Sequence, residues 1–249
     1  MKLNFKGKVI IVTGGTRGIG KQIADDLHSL GATVLITGTK LDEVESLNEQ
    51  AFRQKTKKKY FYLDFLESSS LNSFIKKIAK YKRIDCLVNN AGINRLNHIQ
   101  NSNLSDWEEM LEVNLTSPYR LIKEISPTMI NNKYGRIINI SSIFGTISKE
   151  KRAIYSATKS GIHGLTLGCS NDLARYNILV NTVSPGFVLT DLTKINLSKI
   201  EREALSSQIP IQRMAETIDI SSTVVFLLSD LNTYLTGQNI IVDGGFTNV

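Results

Sequence analysis

"KVIIVTGGTRGIGKQIADDLHSLG" (residues 8–31) runs from a continuous apolar stretch, through a glycine-rich turn, into a segment with helical spacing that stops at Gly31. An apolar run closed by glycines reads as a strand buried on both faces. Apolar residues three and four apart read as a helix. Gly14, Gly18 and Gly20 have the spacing G-x-x-x-G-x-G, with Thr16, Arg17 and Ile19 between and beside them. Glycines at such a turn let the backbone approach a pyrophosphate, whose charge then meets the free amides of a helix N-terminus.

Outward from this unit the alternation continues almost to the end of the chain. "ATVLITG", "KYFYLDF", "IDCLVNNAG", "GRIINISSI", "ILVNTVSPG" and "QNIIVDGG" read as further strands, with helical segments between them. Pro118 and Pro127 predict bends in the long helical stretch 104–132, and 187–212 reads as polar and irregular. Buried strands alternating with helices imply a parallel sheet covered on both faces. The expectation is one domain over residues 1–249: an α/β fold, a doubly wound Rossmann-type sheet of about seven strands. Ligands would bind at the carboxyl ends of the strands.

A chain of 249 residues that is 41% hydrophobic and 21% charged has ordinary globular composition. No apolar run is long enough for a membrane span. The N-terminus has no small-residue cleavage site, so the expected location is the cytoplasm. Cys86 and Cys169 sit in apolar surroundings and read as buried thiols, and three scattered histidines suggest no metal site. The net charge of +7 owes much to "RQKTKKK" (53–59). That run has no interleaved aromatics and belongs to no known module, so no nucleic-acid partner is expected.

The second strand selects the dinucleotide. NAD-binding folds usually end that strand on a carboxylate that holds the free ribose hydroxyl. Here Gly38 stands in its place, followed by Thr39 and Lys40, with Arg17 nearby, an arrangement that suits NADP(H). Asp42 is the competing residue. It reads as a first-turn helix residue but is within reach of a ribose.

Tyr155 and Lys159 lie one helical turn apart in "IYSATKSG", and Ser142 precedes Tyr155 by thirteen residues. With "NNAG" (89–92), Asn114 in "EVNLTSP" and "SPGFVLTD" (184–191), these motifs resemble the short-chain dehydrogenase/reductase family in order and spacing over nearly the whole chain. "TRGIG", "NNAGIN" and "YLTGQNIIVDGG" are similar to its 3-oxoacyl-(acyl-carrier-protein) reductase branch.

The resemblance implies an NADPH-dependent ketone reductase. Tyr155 would be the general acid, Lys159 the cation that lowers its pKa and holds the nicotinamide ribose, and Ser142 the donor to the substrate oxygen. Asn114 would position a water leading to Lys159. Asn90, Ala91 and Gly92 would pass beneath the adenosine ribose, and Asp64 would meet the adenine. Pro185, Gly186, Val188 and Thr190 would frame the nicotinamide amide. Residues 187–212 would form a lid, and Asn94, Arg95, Ile143, Phe144 and Phe187 would contact substrate together with Ile93 and the loop "SKEKR" (148–152).

A 3-oxoacyl thioester on acyl carrier protein or CoA is the leading substrate. Arg95 and the 148–152 loop offer charge to an acidic carrier protein. Lys133 matches a basic position of that branch, whereas Tyr176, after Arg175, stands at another. The same motifs allow a sugar, polyol or small hydroxy/keto metabolite as substrate, or a non-catalytic NADP-binding regulator. Family analogy implies a homotetramer, and nothing suggests a membrane partner.

Overall fold

The computed structural model describes residues 3–248. Strands β1 (Val9–Val12), β2 (Thr33–Gly38), β3 (Lys58–Tyr62), β4 (Cys86–Asn89), β5 (Gly135–Ile140), β6 (Ile178–Pro185) and β7 (Asn239–Val242) form one sheet in the order β3-β2-β1-β4-β5-β6-β7. Every pairing is parallel, with Ile11 opposite Leu35 on one side and Leu87 on the other. The order reverses between β1 and β4. At such a switch point the loops leave in opposite directions and open a crevice beyond the carboxyl ends.

Period two along β1 sorts side chains onto two buried faces. Ile10 and Val12 join Ile23 and Leu27 of α1 (Gly18–Ser29) and Val224 and Leu228 of α9 (Thr217–Leu228). Ile11 joins the opposite cluster. There it meets Leu71 and Phe74 of α3 (Ser68–Ile78), Leu121 and Ile125 of α5 (Ser117–Asn132), and Leu173 of α6 (Ala153–Leu173). Burying each such side chain contributes roughly 1.5–3 kcal/mol, which is why the strands read as apolar runs rather than as an alternation. The first helix after β2, α2, spans Leu41–Arg53.

Two stretches differ in detail from the sequence expectation. The stretch 104–132 is α4 (Leu104–Leu111), a π-turn (Glu112–Thr116) and α5, which abut one another and enclose both prolines. Pro118 directly follows the π-turn, where its missing N–H leaves a carbonyl of that turn without its usual helical donor. Segment 187–212 is not irregular: it holds α7 (Asp191–Asn196) and α8 (Lys199–Ser207). Helix α8 starts on a capping box in which Glu201 N donates to Ser198 Oγ at 3.3 Å and Ser198 N donates to Glu201 Oε2 at 2.8 Å. Cys86 and Cys169 are free thiols, the first buried and the second partly so. Among the described residues no helix is long and apolar enough to cross a membrane.

Candidate active site

The β1 turn is laced to the β4 turn. Buried Thr13 accepts hydrogen bonds through Oγ1 from Asn90 N (3.0 Å) and Ala91 N (3.1 Å). Asn90 Nδ2 donates to Thr13 O (2.9 Å) and Gly14 O (3.0 Å), and Gly14 N donates to Thr37 Oγ1 (3.1 Å). Asn90 therefore fastens the phosphate turn to the adjacent strand end. Thr13 and Thr37 were not singled out by sequence. Only their places at the ends of β1 and β2 marked them.

Glycine is required twice here. Gly14 has φ +59° and passes so close that a Cβ would lie 3.0 Å from Ala91 Cα; at Gly20 a Cβ would lie 2.4 Å from both Asn90 Nδ2 and Gly14 O. The result is a cleft of about 440 Å³. It is lined by Gly14, Thr16, Arg17, Gly18 and Ile19 of the turn, by Thr37 to Lys40, by Leu63 to Leu66 including Asp64, by Asn90 to Ile93, and by Thr190. Arg17 is the N-cap residue of α1 and has extended backbone, so the first free amides of the helix face this space. A glycine-tight floor, a helix N-terminus and two exposed cations suit a dinucleotide. Glu43 lines the cleft, whereas Asp42 does not. Asp64 and Asp191 are the other carboxylates that line it.

Beyond the cleft, the π-turn, β5 and α6 converge. Ser142 follows β5 by two residues and caps a short 3-10 turn (Ile143–Gly145), its Oγ accepting from Phe144 N at 3.2 Å. Tyr155 and Lys159 descend from the first turns of α6, with the ammonium 5.7 Å from the phenol ring centre. Lys159 is buried and donates to Ile140 O at 2.9 Å. Burial depresses its pKa from 10.5 to about 8. Ser141, the neighbour excluded by spacing, donates to the Lys159 backbone carbonyl at 2.9 Å and ties β5 to α6.

Tyr155 departs from the expected electrostatics. Burial raises its pKa above the usual phenol value, opposed by its hydrogen bond with Ser142 and by the Arg152 cation. The cation set against that burial is therefore Arg152, not Lys159. The expected downward shift is absent because desolvation of the phenolate outweighs both opposing effects.

Asn114 is also more committed than expected. Its Oδ1 accepts from Ile93 N (2.9 Å), and its Nδ2 donates to Ile93 O (2.9 Å) and Thr158 Oγ1 (3.1 Å). The side chain pins the β4 loop to the π-turn. A π-turn shifts the helical bonding register and is frequent at functional sites. Gly92 lies between them: a Cβ there would be 3.2 Å from Asn114 Oδ1 and 3.4 Å from Lys159 Nζ.

The expected nicotinamide-side and substrate residues divide. Pro185 and Gly186 end β6, with Gly186 N donating to Val242 O at 2.9 Å; Val188 is buried in the core. Phe144, Phe187 and Phe246 form an edge-to-face row with ring centres 6.2 and 5.1 Å apart. Ile143 and Phe144 are both buried, 1% and 6% exposed. Asn94 and Arg95 are exposed, and Arg95 is paired with Glu109 (2.5 Å) and Asp106 (3.7 Å). Its charge is answered within the chain by two carboxylates of α4. Lys133 precedes β5, while Arg175 and Tyr176 precede β6. All three lie at the amino ends of the strands, the opposite rim from Tyr155.

A family model described as enoyl-(acyl carrier protein) reductase matches residues 14–247. The chain belongs to the short-chain dehydrogenase/reductase family. Membership makes it an oxidoreductase that works with a nicotinamide cofactor. It is 40% identical over 247 residues to the 3-oxoacyl-(acyl-carrier-protein) reductase FabG of Aquifex aeolicus, covering 98% of this chain and 99% of the relative. It is 36% identical over 244 residues to FabG of Escherichia coli, covering 98% of each. Among solved structures, a gluconate 5-dehydrogenase from Burkholderia cenocepacia in complex with NADP and tartrate superposes with TM-score 0.91 at 29% identity. That match covers 99% of this chain and 97% of the other. A putative gluconate dehydrogenase from Agrobacterium tumefaciens superposes with TM-score 0.92, also at 29% identity, covering 99% and 98%.

Proposed function

We propose that the protein reduces a ketone to a secondary alcohol with NADPH, and that its main substrate is a 3-oxoacyl thioester carried on acyl carrier protein or CoA. The convergence of Ser142, Tyr155 and Lys159 beside the dinucleotide cleft carries the reading. The FabG relatives supply the substrate class. Bound in the cleft, the reduced nicotinamide supplies the hydride.

The chain's own residues do the rest. Ser142 Oγ and the Tyr155 hydroxyl donate to the ketone oxygen, where negative charge develops. Tyr155 gives up its proton to that oxygen. Lys159, held at a depressed pKa, would hold the nicotinamide ribose and pass a proton back toward Tyr155. Asn114 positions a water that links Lys159 to solvent. Arg17 and Lys40 bind the 2′-phosphate, where Gly38 leaves no carboxylate to repel it. Asp64 meets the adenine; Pro185, Gly186, Val188 and Thr190 hold the carboxamide. Helices α7 and α8 form the lid.

Exposed Leu167 lies beside Gly164 and Gly168 on α6, and both glycines have open space around them. With Trp107 and Tyr119 this face fits subunit pairing. Phe226 and Tyr234 are exposed as well, and a homotetramer in the cytoplasm is the proposed working form.

A second reading, reduction of a small hydroxy/keto metabolite, is favoured by the pairing of Arg95 and by the gluconate 5-dehydrogenase likeness. The test is absorbance of NADPH, and separately NADH, on adding an acetoacetyl thioester. Rapid oxidation of NADPH over NADH supports both cofactor and substrate. NADH preference overturns the Gly38 argument. No oxidation removes the thioester assignment, and tight NADPH binding without turnover of any ketone points to a regulator.

A further inference from the structure

Arg152 is the last residue of the charged loop before α6, and it differs from its neighbours. Lys149, Glu150 and Lys151 are exposed; Arg152 is turned inward and half-buried. Its guanidinium carbon lies 4.8 Å from the Phe144 ring centre and 6.0 Å from that of Tyr155. The aromatic row Phe144–Phe187–Phe246 backs it. A guanidinium over an aromatic face is held in orientation by the ring quadrupole.

Among the described residues no protein anion answers this cation. Its Nε is buried and has no hydrogen-bond partner, and among the described residues no carboxylate lies within ion-pair distance. Arg95, at the same rim, has two carboxylates. Burial lowers the Arg152 pKa, and the Tyr155 phenol is the ionisable group that opposes the shift. An unanswered, partly desolvated cation beside a general acid has the chemistry of a ligand contact, because leaving it unpaired is costly.

We propose that Arg152 is a carboxylate anchor, and that the site reduces short 3-oxo acids as free anions alongside thioesters. The proposal rests on Tyr155 and Ser142 receiving the ketone oxygen as described above. The separation sets the substrate's length. An anion reaching Arg152 must lie only a few bonds from an oxygen held at Tyr155, which a carboxylate borne by the carbon next to the ketone satisfies. Phe144 and Phe187 then face the short carbon chain. The chemical step is unchanged: the ketone carbon gains the hydride, its oxygen gains the Tyr155 proton, and the carboxylate stays on Arg152 throughout.

The probes are acetoacetate, its methyl ester and an acetoacetyl thioester, each with NADPH. The enzymes are wild type, Arg152→Gln and Arg152→Lys. The readout is the ratio of kcat/KM for acid over ester. Removal of a charge-assisted bond predicts that this ratio falls about 10–100-fold in Arg152→Gln, mainly through the KM of the acid. Arg152→Lys, which keeps the charge, should lose less and controls for folding. An unchanged ratio in Arg152→Gln overturns the assignment. So does a wild type that reduces the thioester but not acetoacetate, which leaves the main function standing. Failure with all three ketones removes both readings together.

Discussion

Replacing Lys159 by Met should stabilise the cofactor-free fold at neutral pH while destroying activity. Lys159 is buried with a folded-state pKa of about 8, against 10.5 in the unfolded chain. Between those values the unfolded chain holds a proton that the folded chain has shed, so stability rises with pH through this window. Below it the cost of the buried charge is fully present. At about 1.4 kcal/mol per pH unit that cost is about 3 kcal/mol. The Met variant escapes it but strands the Ile140 carbonyl, which now accepts from Nζ, at a cost of roughly 1–2 kcal/mol.

The net expectation is a variant about 1–2 kcal/mol more stable than wild type at pH 7. By pH 10.5 the sign should have reversed, with wild type ahead by a similar amount. Urea denaturation of both proteins without cofactor, followed by circular dichroism from pH 7 to 10.5 at one protein concentration, measures the difference. Other titrating groups cancel in it. A difference that stays constant with pH would refute the depressed Lys159 pKa and the proton-return role built on it.

Three further outcomes follow from the cleft. Gly20→Ala places a Cβ 2.4 Å from Asn90 Nδ2 and Gly14 O, so it should weaken NADPH binding at least tenfold and cost about 2–3 kcal/mol, read by fluorescence titration and urea melts. Thr13→Val keeps the shape but removes the acceptor for the Asn90 and Ala91 amides; the urea midpoint should fall by the equivalent of about 2 kcal/mol, and an unchanged midpoint would contradict the lacing of the two turns. Lys40→Glu should raise the NADPH Kd by about tenfold or more and leave the NADH Kd nearly unchanged; equal effects on both would place the 2′-phosphate elsewhere.

The legible parts of this chain share a linear signature. Val9 to Val12 is an apolar run ended by glycines, and thirteen residues of spacing bring Ser142 to Tyr155. The π-turn has no such signature. In "EVNLTSP" Pro118 marks a disturbance of the helix, but nothing in the string says that it takes the form of a one-residue slip in helical bonding. The Ser198–Glu201 capping box was readable, but outward-facing Ile195 and Ile200 left α7 and α8 without an apolar stripe to announce them. Charge direction was the least visible feature. Lys151 and Arg152 are adjacent cations, yet one faces water and the other faces Tyr155, because Lys151 takes φ +64° and turns the chain inward. The burial that depresses Lys159 and raises Tyr155 likewise depends on helix α6 packing beside β5, which no short motif encodes.

Reduction of an acetoacetyl thioester by NADPH, compared between wild type and Tyr155→Phe with NADPH affinity titrated in parallel, tests the catalytic assignment most directly. Loss of the phenol proton should lower kcat by about 10²–10⁴-fold while the cofactor still binds. A Tyr155→Phe enzyme within threefold of wild type would show that the proton comes from elsewhere and that the convergence of Ser142, Tyr155 and Lys159 is not the catalytic centre.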